Sequence, residues 1–159
     1  MIYLKHIKLG LLPIRFKHAN LEQQFYEVLD PRLRAMTLEF AYLSRRQFNV
    51  TPVITHIYRT QEQQNSFYRD KIEAGYYIRQ NGQVYYSRDK KRPTLSVHQM
   101  VPCRGIDIRD RVYSEAEISF FDKEFERYFP YGRGKESLVH HNVVGSHIHL
   151  QSPAEIKAG

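Results

Sequence analysis

The sequence predicts an α+β fold in which helices flank a small antiparallel sheet. Helical patterns occupy the first part of the chain and short alternating apolar segments are concentrated later, which is typical of this class. The 159 residues suit one domain, and no internal repeat or glycine- and serine-rich linker divides them. We therefore assign residues 1–159 to a single domain, with residues 1–19 as an N-terminal extension.

Two helix starts are predicted in the first third of the chain. Asn20 followed by Gln23 resembles a capping box, and Asp30 followed by Pro31 predicts the N-cap and the first residue of a second helix. We expect the second helix to end near Arg46. Its apolar positions recur at helical spacing, so we expect them to pack in the core. These positions are Leu33, Met36, Phe40 and Leu43.

A strand, a helix and a hairpin are predicted in the middle of the chain. Residues 52–57 (PVITHI) are short and β-branched, and Thr60 with Gln63 starts a helix that we expect to end at Gly75. The Asn-Gly pair at residues 81–82 predicts a type I′ hairpin. We expect an exposed ribbon whose aromatic rings either pair across the hairpin or stack on a ligand. These rings belong to Tyr76, Tyr77, Tyr85 and Tyr86.

Two further strands and a third helix are predicted towards the end of the chain. Residues 105–109 (GIDIR) and 142–151 (NVVGSHIHLQ) alternate in the manner of strands. Between them, Ser114 with Glu117 predicts the start of a helix.

The charge balance and the composition limit the function classes. Lys and Arg exceed Asp and Glu by 24 to 17, and the formal net charge of +7 favours a polyanion such as nucleic acid, an anionic wall polymer or a membrane surface. The basic residues are spread along the chain, so we do not expect nucleic acid as the partner. No apolar stretch approaches the roughly 18 residues that cross a bilayer, so we expect no membrane insertion. The N-terminal segment lacks the pattern of a secretory signal and Cys103 is the single cysteine, so we expect synthesis in the cytoplasm.

Four residues have the chemistry of a metal site. His147 and His149 are two residues apart in a predicted strand, so they project from the same face. Upstream, Asp107 lies in a predicted strand and His98 precedes a turn. Imidazole nitrogen and carboxylate oxygen are suitable zinc ligands, and a set of two histidines and one aspartate leaves the fourth position open for water. If His147 and His149 are considered alone, the alternative to a metal site is a pair of surface histidines on an edge strand.

These residues resemble the zinc D-alanyl-D-alanine carboxypeptidase family. That family includes phage L-alanyl-D-glutamate endolysins and shares its fold with lysostaphin-type peptidases and the hedgehog signalling domain. Its Ser-x-His-x-x-Gly-x-Ala-x-Asp motif is similar to the sequence around Ser96, His98 and Asp107. The segment THIYRTQEQQ resembles its SGYRT-like strand end and helix, and its late His-x-His is matched at residues 147–149. The resemblance covers about residues 30–151.

The resemblance implies a hedgehog/DD-peptidase-like fold and a zinc peptidase that hydrolyses peptidoglycan stem peptides, as a carboxypeptidase or an endolysin-type endopeptidase. It implies that His147 lies beside the metal as a catalytic or transition-state-stabilising group. Arg59 would bind a substrate carboxylate or carbonyl, for which its guanidinium fork is suited. Ser96 would support the site from behind the ligands. The implied zinc ligands are His98, Asp107 and His149.

The spacing and two residues of the first motif depart from the family pattern. Eight residues separate His98 from Asp107 where the family has six, so we expect a bulge around Pro102. Cys103 and Gly105 replace the family's glycine and alanine. A thiolate at Cys103 could compete for zinc, and we rank it below Asp107 as a ligand.

The general base of the carboxypeptidases is also missing. The family places a glutamate where this chain has Ser146, and serine does not take a proton from water at neutral pH. We expect His147 to act instead, because an unperturbed imidazole has a pKa of about 6.5. Glu136 could reach the site from a loop as an acid or base. His140 and His141 lie outside the matched motifs, and we expect them to be loop histidines.

Two other functions stay open. A zinc-stabilised wall-binding module without turnover is favoured by the missing glutamate and by the longer motif spacing. A metal-dependent nuclease is suggested by HHNVVGSHIH, but such sites need a helix that the sequence after Asn142 does not predict. A peptidase without a secretory signal would act at the bacterial wall after release or delivery.

Overall fold

A computed structural model describes residues 13–143 and 145–154 and confirms a mixed α+β fold. It contains a five-stranded, mostly antiparallel sheet, a separate two-stranded hairpin and surrounding helices. The helices are α1 (Ala19–Glu27), α2 (Pro31–Leu43), α3 (Gln61–Phe67), α4 (Arg69–Glu73) and α5 (Glu115–Tyr128). The strands are β1 (Arg15–Phe16), β2 (Val53–His56), β3 (Tyr77–Gln80), β4 (Gln83–Tyr86), β5 (Gly105–Ile108), β6 (Leu138–His141) and β7 (His147–Gln151).

The five-stranded sheet has the order β1-β2-β5-β7-β6. Only β1 and β2 are parallel, and the other neighbours are antiparallel. Strand β5 is central and all four of its residues are buried. Alternation along the strands therefore separates two faces, with Ile106, Ile108, Ile148 and Leu150 on the core face. The opposite face carries Asp107 and the histidines of β7.

The hydrophobic core lies between the sheet and helices α1, α2 and α5. The rings of Phe40 in α2 and Phe121 in α5 stack with centroids 4.1 Å apart, and both are fully buried. The predicted apolar face of α2 is confirmed, because its first three positions are buried and Leu43 packs against the core. Ile14 is also buried and β1 pairs with β2, so part of the expected N-terminal extension belongs to this fold. Residues 1–12 lie outside the described residues.

The predicted cap of α1 is wrong, whereas the predicted cap of α2 is confirmed. Asn20 is not a cap, because α1 begins at Ala19 after His18, whose side chain makes no capping hydrogen bond. Helix α2 has the predicted N-cap, since Asp30 accepts hydrogen bonds from two backbone amides, but it ends at Leu43. A π-helical turn (Ser44–Phe48) follows.

The capping box of Thr60 with Gln63 is confirmed at the start of α3. The predicted single helix is interrupted at Tyr68, between α3 and α4, and Gly75 follows α4 with a φ of 92°. Tyr68 leaves the regular helix with its ring stacked on that of Tyr86, 4.1 Å away and nearly parallel. The hairpin turn at residues 81–82 is confirmed by positive φ at both positions.

The prediction of an exposed tyrosine ribbon is wrong for Tyr86, which is buried against Tyr68 because the hairpin packs on α3. The N-cap at Ser114 is confirmed by a hydrogen bond from the backbone amide of Glu117. Strand β7 is shorter than predicted and begins at His147, because residues 142–143 and 145–146 lie outside both β6 and β7. Within the described residues, no helix has the length and apolar character needed to cross a membrane.

Candidate metal centre

Three elements bring two histidines and one aspartate together. His98 lies in a 3₁₀ turn (Val97–Gln99), Asp107 in the central strand β5 and His149 in β7, where it is the direct register partner of Asp107. Ser96 caps the turn: its hydroxyl accepts the His98 amide, and the Gln99 side chain accepts the Ser96 amide. The sequence-predicted role of Ser96 thus has a structural counterpart, because the cap fixes the backbone that carries His98.

The three side chains form a compact triangle of donor atoms. Asp107 Oδ1 lies 3.2 Å from His98 Nε2 and 2.8 Å from His149 Nδ1, and the two nitrogens are 3.3 Å apart. All three residues are buried, and they form the one group of this kind that could hold a metal ion among the described residues. A tetrahedral zinc ion with bonds of about 2.0–2.1 Å keeps its ligands about 3.3 Å apart. The triangle therefore fits one face of such a site.

The backbone around His98 selects its tautomer. His98 Nδ1 contacts the carbonyl oxygen of Ile57, to which only an N–H can donate, so the lone pair of the neutral ring is on Nε2. Burial lowers the pKa of His98 and thus favours the neutral ring at neutral pH. The lone pair then faces the carboxylate of Asp107. Two electron-rich atoms at this distance require a cation or a proton between them.

His149 is oriented by a residue of its own strand. Gln151 Oε1 lies 3.4 Å from His149 Nε2, and the Gln151 amide donates to the carbonyl oxygen of Glu136 at 2.7 Å. Because the glutamine oxygen can only accept, it favours a proton on Nε2 and a lone pair on Nδ1. The second histidine therefore also directs a lone pair at Asp107. Gln151 was not predicted from the sequence, although a polar residue two positions after a strand histidine shares its face.

Asp107 is held in its ionised form. Burial acts to raise its pKa, but with protons on the facing nitrogens of His98 and His149 the attraction of these imidazoles outweighs burial and keeps the pKa well below the usual range. The other carboxylate oxygen, Oδ2, accepts a hydrogen bond from Arg59 Nη2 at 2.7 Å. His56 Nδ1 lies 3.8 Å from the same oxygen. One oxygen thus remains available for a metal while protein groups occupy the other.

Gly105 makes the close approach of the ligands possible. A Cβ atom at this position would lie 2.6 Å from Val97 Cγ2 and 3.1 Å from the Cε1 atoms of both His98 and His149. The first distance is a steric clash and the other two are tighter than ordinary van der Waals contact. The alanine of the family pattern would therefore not fit this chain without movement of the 3₁₀ turn.

The two extra residues of the motif form the expected bulge, with a cis peptide bond before Pro102 and Val101 exposed. Cys103 closes the bulge through backbone hydrogen bonds to Val28 and Asp30. Its thiol is buried and lies near backbone carbonyls, and burial raises its pKa to about 11. Cys103 is not in the ligand group, so a protonated thiol is expected there rather than a ligand.

His147 and His141 lie side by side at the open edge of the centre. His147 Nε2 is 3.6 Å from Asp107 Oδ1, and its Nδ1 lies 2.8 Å from the Gly145 carbonyl oxygen, to which it donates. His141 in β6 is the register partner of His147, with ring centroids 4.8 Å apart. The prediction that His141 is a loop residue is wrong. The turn-forming residues Asn142 and Gly145, which lie between the two histidines in the sequence, were the available signal for this pairing.

Glu136, which was predicted to reach the site, lies elsewhere, and His140, which was predicted in a loop, is also remote from it. The exposed Glu136 lines a different cavity, together with Asp122 and Glu126 of α5, because the chain turns away from the centre before β6. His140 is on the core face of β6, in strand rather than loop, and contacts Asp110 at 2.9 Å. Ser146 also hydrogen-bonds Asp110. Neither Glu136 nor His140 is positioned to exchange a proton at the metal triangle.

An open groove of about 830 Å³ gives access to the centre. We call it the metal groove; its walls include Arg59, Phe67, Leu95, His141, Val143 and His147. Three of these side chains, Phe67, Leu95 and Val143, are exposed and apolar. In the described part of the chain, Arg59 Nε and Gln64 Oε1 are buried at the groove wall without a hydrogen-bond partner. The arrangement suits a ligand with apolar side chains and a polar backbone.

Comparisons with protein-family models, with curated proteins and with solved structures found no match.

Proposed function

We propose that this protein is a zinc-dependent peptidase that hydrolyses peptide bonds in peptidoglycan stem peptides, as a carboxypeptidase or an endopeptidase. One observation carries the proposal: the lone pairs of His98 and His149 and one oxygen of Asp107 converge at the floor of an open groove. The substrate class rests on the motif resemblance and on the basic surface, since bacterial walls are anionic.

The donor set matches zinc by type and number. Two imidazole nitrogens and one carboxylate oxygen are typical ligands, and three protein ligands leave a fourth position open to the groove. A bound zinc ion would lower the pKa of a coordinated water and polarise the scissile carbonyl. The contacts of His98 with Ile57, of His149 with Gln151 and of Asp107 with Arg59 then hold the ligands in place.

His147 is the group best placed to transfer protons. Its Nδ1–H is held by the Gly145 carbonyl, so its Nε2 is free to accept a proton beside Asp107 and to donate it to a leaving amine. Burial and the nearby rings of His147 and His149 lower the pKa of His141, so His141 is a neutral neighbour at neutral pH. The imidazoles of His147 and His141 take the place of the glutamate that the family pattern contains.

Arg59 and Gln64 would bind the substrate backbone. Arg59 donates one N–H to Asp107 and keeps its Nε–H free, and Gln64 offers an unpaired carbonyl oxygen at the same wall. A peptide has the matching acceptor and donor. Satisfying buried polar atoms on binding favours the complex by about 1–3 kcal/mol for each group.

A non-catalytic zinc-stabilised module that binds wall peptides is the second candidate. It is favoured by the absence of aspartate and glutamate from the described residues that line the groove walls. Such a protein would bind metal and peptide without turnover. Synthesis in the cytoplasm and action at the wall after release or delivery apply to both candidates.

Hydrolysis of purified stem peptides by protein loaded with one equivalent of zinc tests the proposal. We expect new amine termini, loss of activity with a chelator and recovery with zinc. His147→Ala is expected to retain zinc and to lose a factor of about 10²–10⁴ in kcat. Retained zinc and peptide binding without any new amine would exclude the peptidase and establish the binding module.

A further inference from the structure

A basic loop borders the metal groove, whose wall includes Arg88. We define the basic loop as residues 88–92, in which Arg88, Lys90, Lys91 and Arg92 accompany a single carboxylate. All four cations are exposed. The loop therefore carries a local excess of positive charge.

Hydrogen bonds give the basic loop a fixed shape. Asp89 Oδ1 accepts the backbone amides of Lys91 and Arg92, and Ser87 donates its hydroxyl to the Arg92 carbonyl oxygen. The Arg88 amide donates to the Thr94 hydroxyl. The Lys91 amide is the main contact that lowers the pKa of Asp89. The Asp89 carboxylate is thus largely engaged within the loop, and its closest side-chain cation, Arg92, is at 4.0 Å.

The metal groove continues past this loop into a second depression of about 600 Å³. Arg88, Thr94 and Leu95 line both, so they form the shared wall. Lys135, which precedes β6, also lines the second depression. Among the described residues, the guanidinium of Arg88 has no acceptor, and the Lys135 ammonium forms no ion pair and lies 5.8 Å from the centroid of the Tyr131 ring.

We propose that the basic loop and Lys135 form a docking site for a flexible, phosphodiester-linked polyanion such as a poly(glycerol phosphate) wall polymer. Arginine forks bind phosphate oxygens bidentately, and lysine adds a point charge. None of the described residues that line the second depression is aromatic, so they offer no stacking platform for nucleic-acid bases. Pro93 and Leu95 instead provide aliphatic contacts. Docking here would hold the metal groove against the wall; that consequence rests on the proposed function, whereas the binding does not.

Binding of a fluorescent glycerol phosphate oligomer to the zinc-loaded full chain tests this site. The probe contains no peptide bond, so the result is independent of peptidase activity. The test variant is Arg88→Gln/Arg92→Gln/Lys135→Gln. The control is Arg69→Gln/Lys123→Gln/Arg127→Gln. It removes three exposed positive charges from α4 and α5, so its net charge equals that of the test variant.

We expect the test variant to bind at least about 10-fold more weakly than the parent, with a salt slope lower by about 2. The control variant is expected to bind within about 2-fold of the parent. Equal losses in both variants, or no binding by the parent, would overturn the docking site. Tighter binding of a thymidine oligomer with the same number of phosphates, lost in the same test variant, would overturn the wall polymer as the source.

Discussion

Asp107 Oδ1 and His149 Nδ1 lie 2.8 Å apart as register partners on the adjacent strands β5 and β7. The pairing of two strands thus sets the shortest edge of the metal triangle, and His98 completes it from the capped turn. The site is built mainly on the sheet, whose central strand is buried. Ligands on such a scaffold are positioned more precisely than ligands on loops.

Removing any one ligand is expected to abolish tight metal binding. His98→Ala, Asp107→Asn and His149→Ala each leave only two donor atoms, so the zinc affinity should fall by at least about 100-fold. Competition titration with a chromophoric chelator measures this. The matched control is His140→Ala, a half-buried histidine that contacts Asp110 instead of Asp107. Unchanged affinity in any of the three ligand variants would remove that residue from the site.

Gln151→Leu tests the orientation of His149. The variant removes the acceptor at 3.4 Å from His149 Nε2 and frees the imidazole to change its tautomer. Loss of such a supporting contact typically weakens metal binding by about 10–100-fold, and we expect the lower end because the hydrogen bond is long. Circular dichroism should show an unchanged fold. A metal affinity equal to that of the parent protein would mean that the sheet alone orients His149.

Gly105→Ala should destabilise the protein and weaken metal binding. The added methyl meets Val97 Cγ2 at 2.6 Å, and overpacking of this kind costs about 1–3 kcal/mol of unfolding free energy. Val97→Ala removes the clashing atom, so the double variant should recover part of the stability. Metal affinity should recover less, because both imidazoles remain in contact with the new methyl. Additive effects of the two substitutions on stability would contradict this contact.

Cys103 should be inert in the folded protein and should contribute to alkaline unfolding. Its pKa rises from 9.0 to about 11 on folding, so its contribution to stability is complete below pH 9 and is lost as the pH rises towards 11. The loss is up to about 3 kcal/mol for a shift of this size. Urea unfolding of the parent and of Cys103→Ala across this range measures the difference. Fast alkylation of the native thiol at neutral pH would contradict the buried, protonated state.

Local sequence patterns predicted several elements in the correct position, and the three residues that the resemblance implied as ligands lie together in the structure. The caps at Asp30, Thr60 and Ser114 and the turn at residues 81–82 depend on neighbouring residues alone, and all four are present. Alternation in β5 and β7 likewise placed Asp107 and His149 on buried strands.

The features that the sequence did not predict depend on distant contacts. Arg59 donates to Asp107 across 48 residues, and a single sequence gives no register for such a pair. His141 becomes a neighbour of His147 only when β6 pairs with β7. Glu136 misses the site because the direction of its loop is fixed by packing against α5. The capping signal at Asn20 is not used, because the helix already begins at Ala19 and Asn20 lies inside its first turn.

X-ray absorption at the zinc edge of the stoichiometrically loaded protein tests the central claim most directly. We expect one tightly bound zinc ion with two imidazole nitrogens and two oxygen ligands, one from Asp107 and one from solvent, at about 2.0–2.1 Å. A sulfur scatterer at about 2.3 Å, or failure to retain one equivalent of zinc through desalting, would contradict the account.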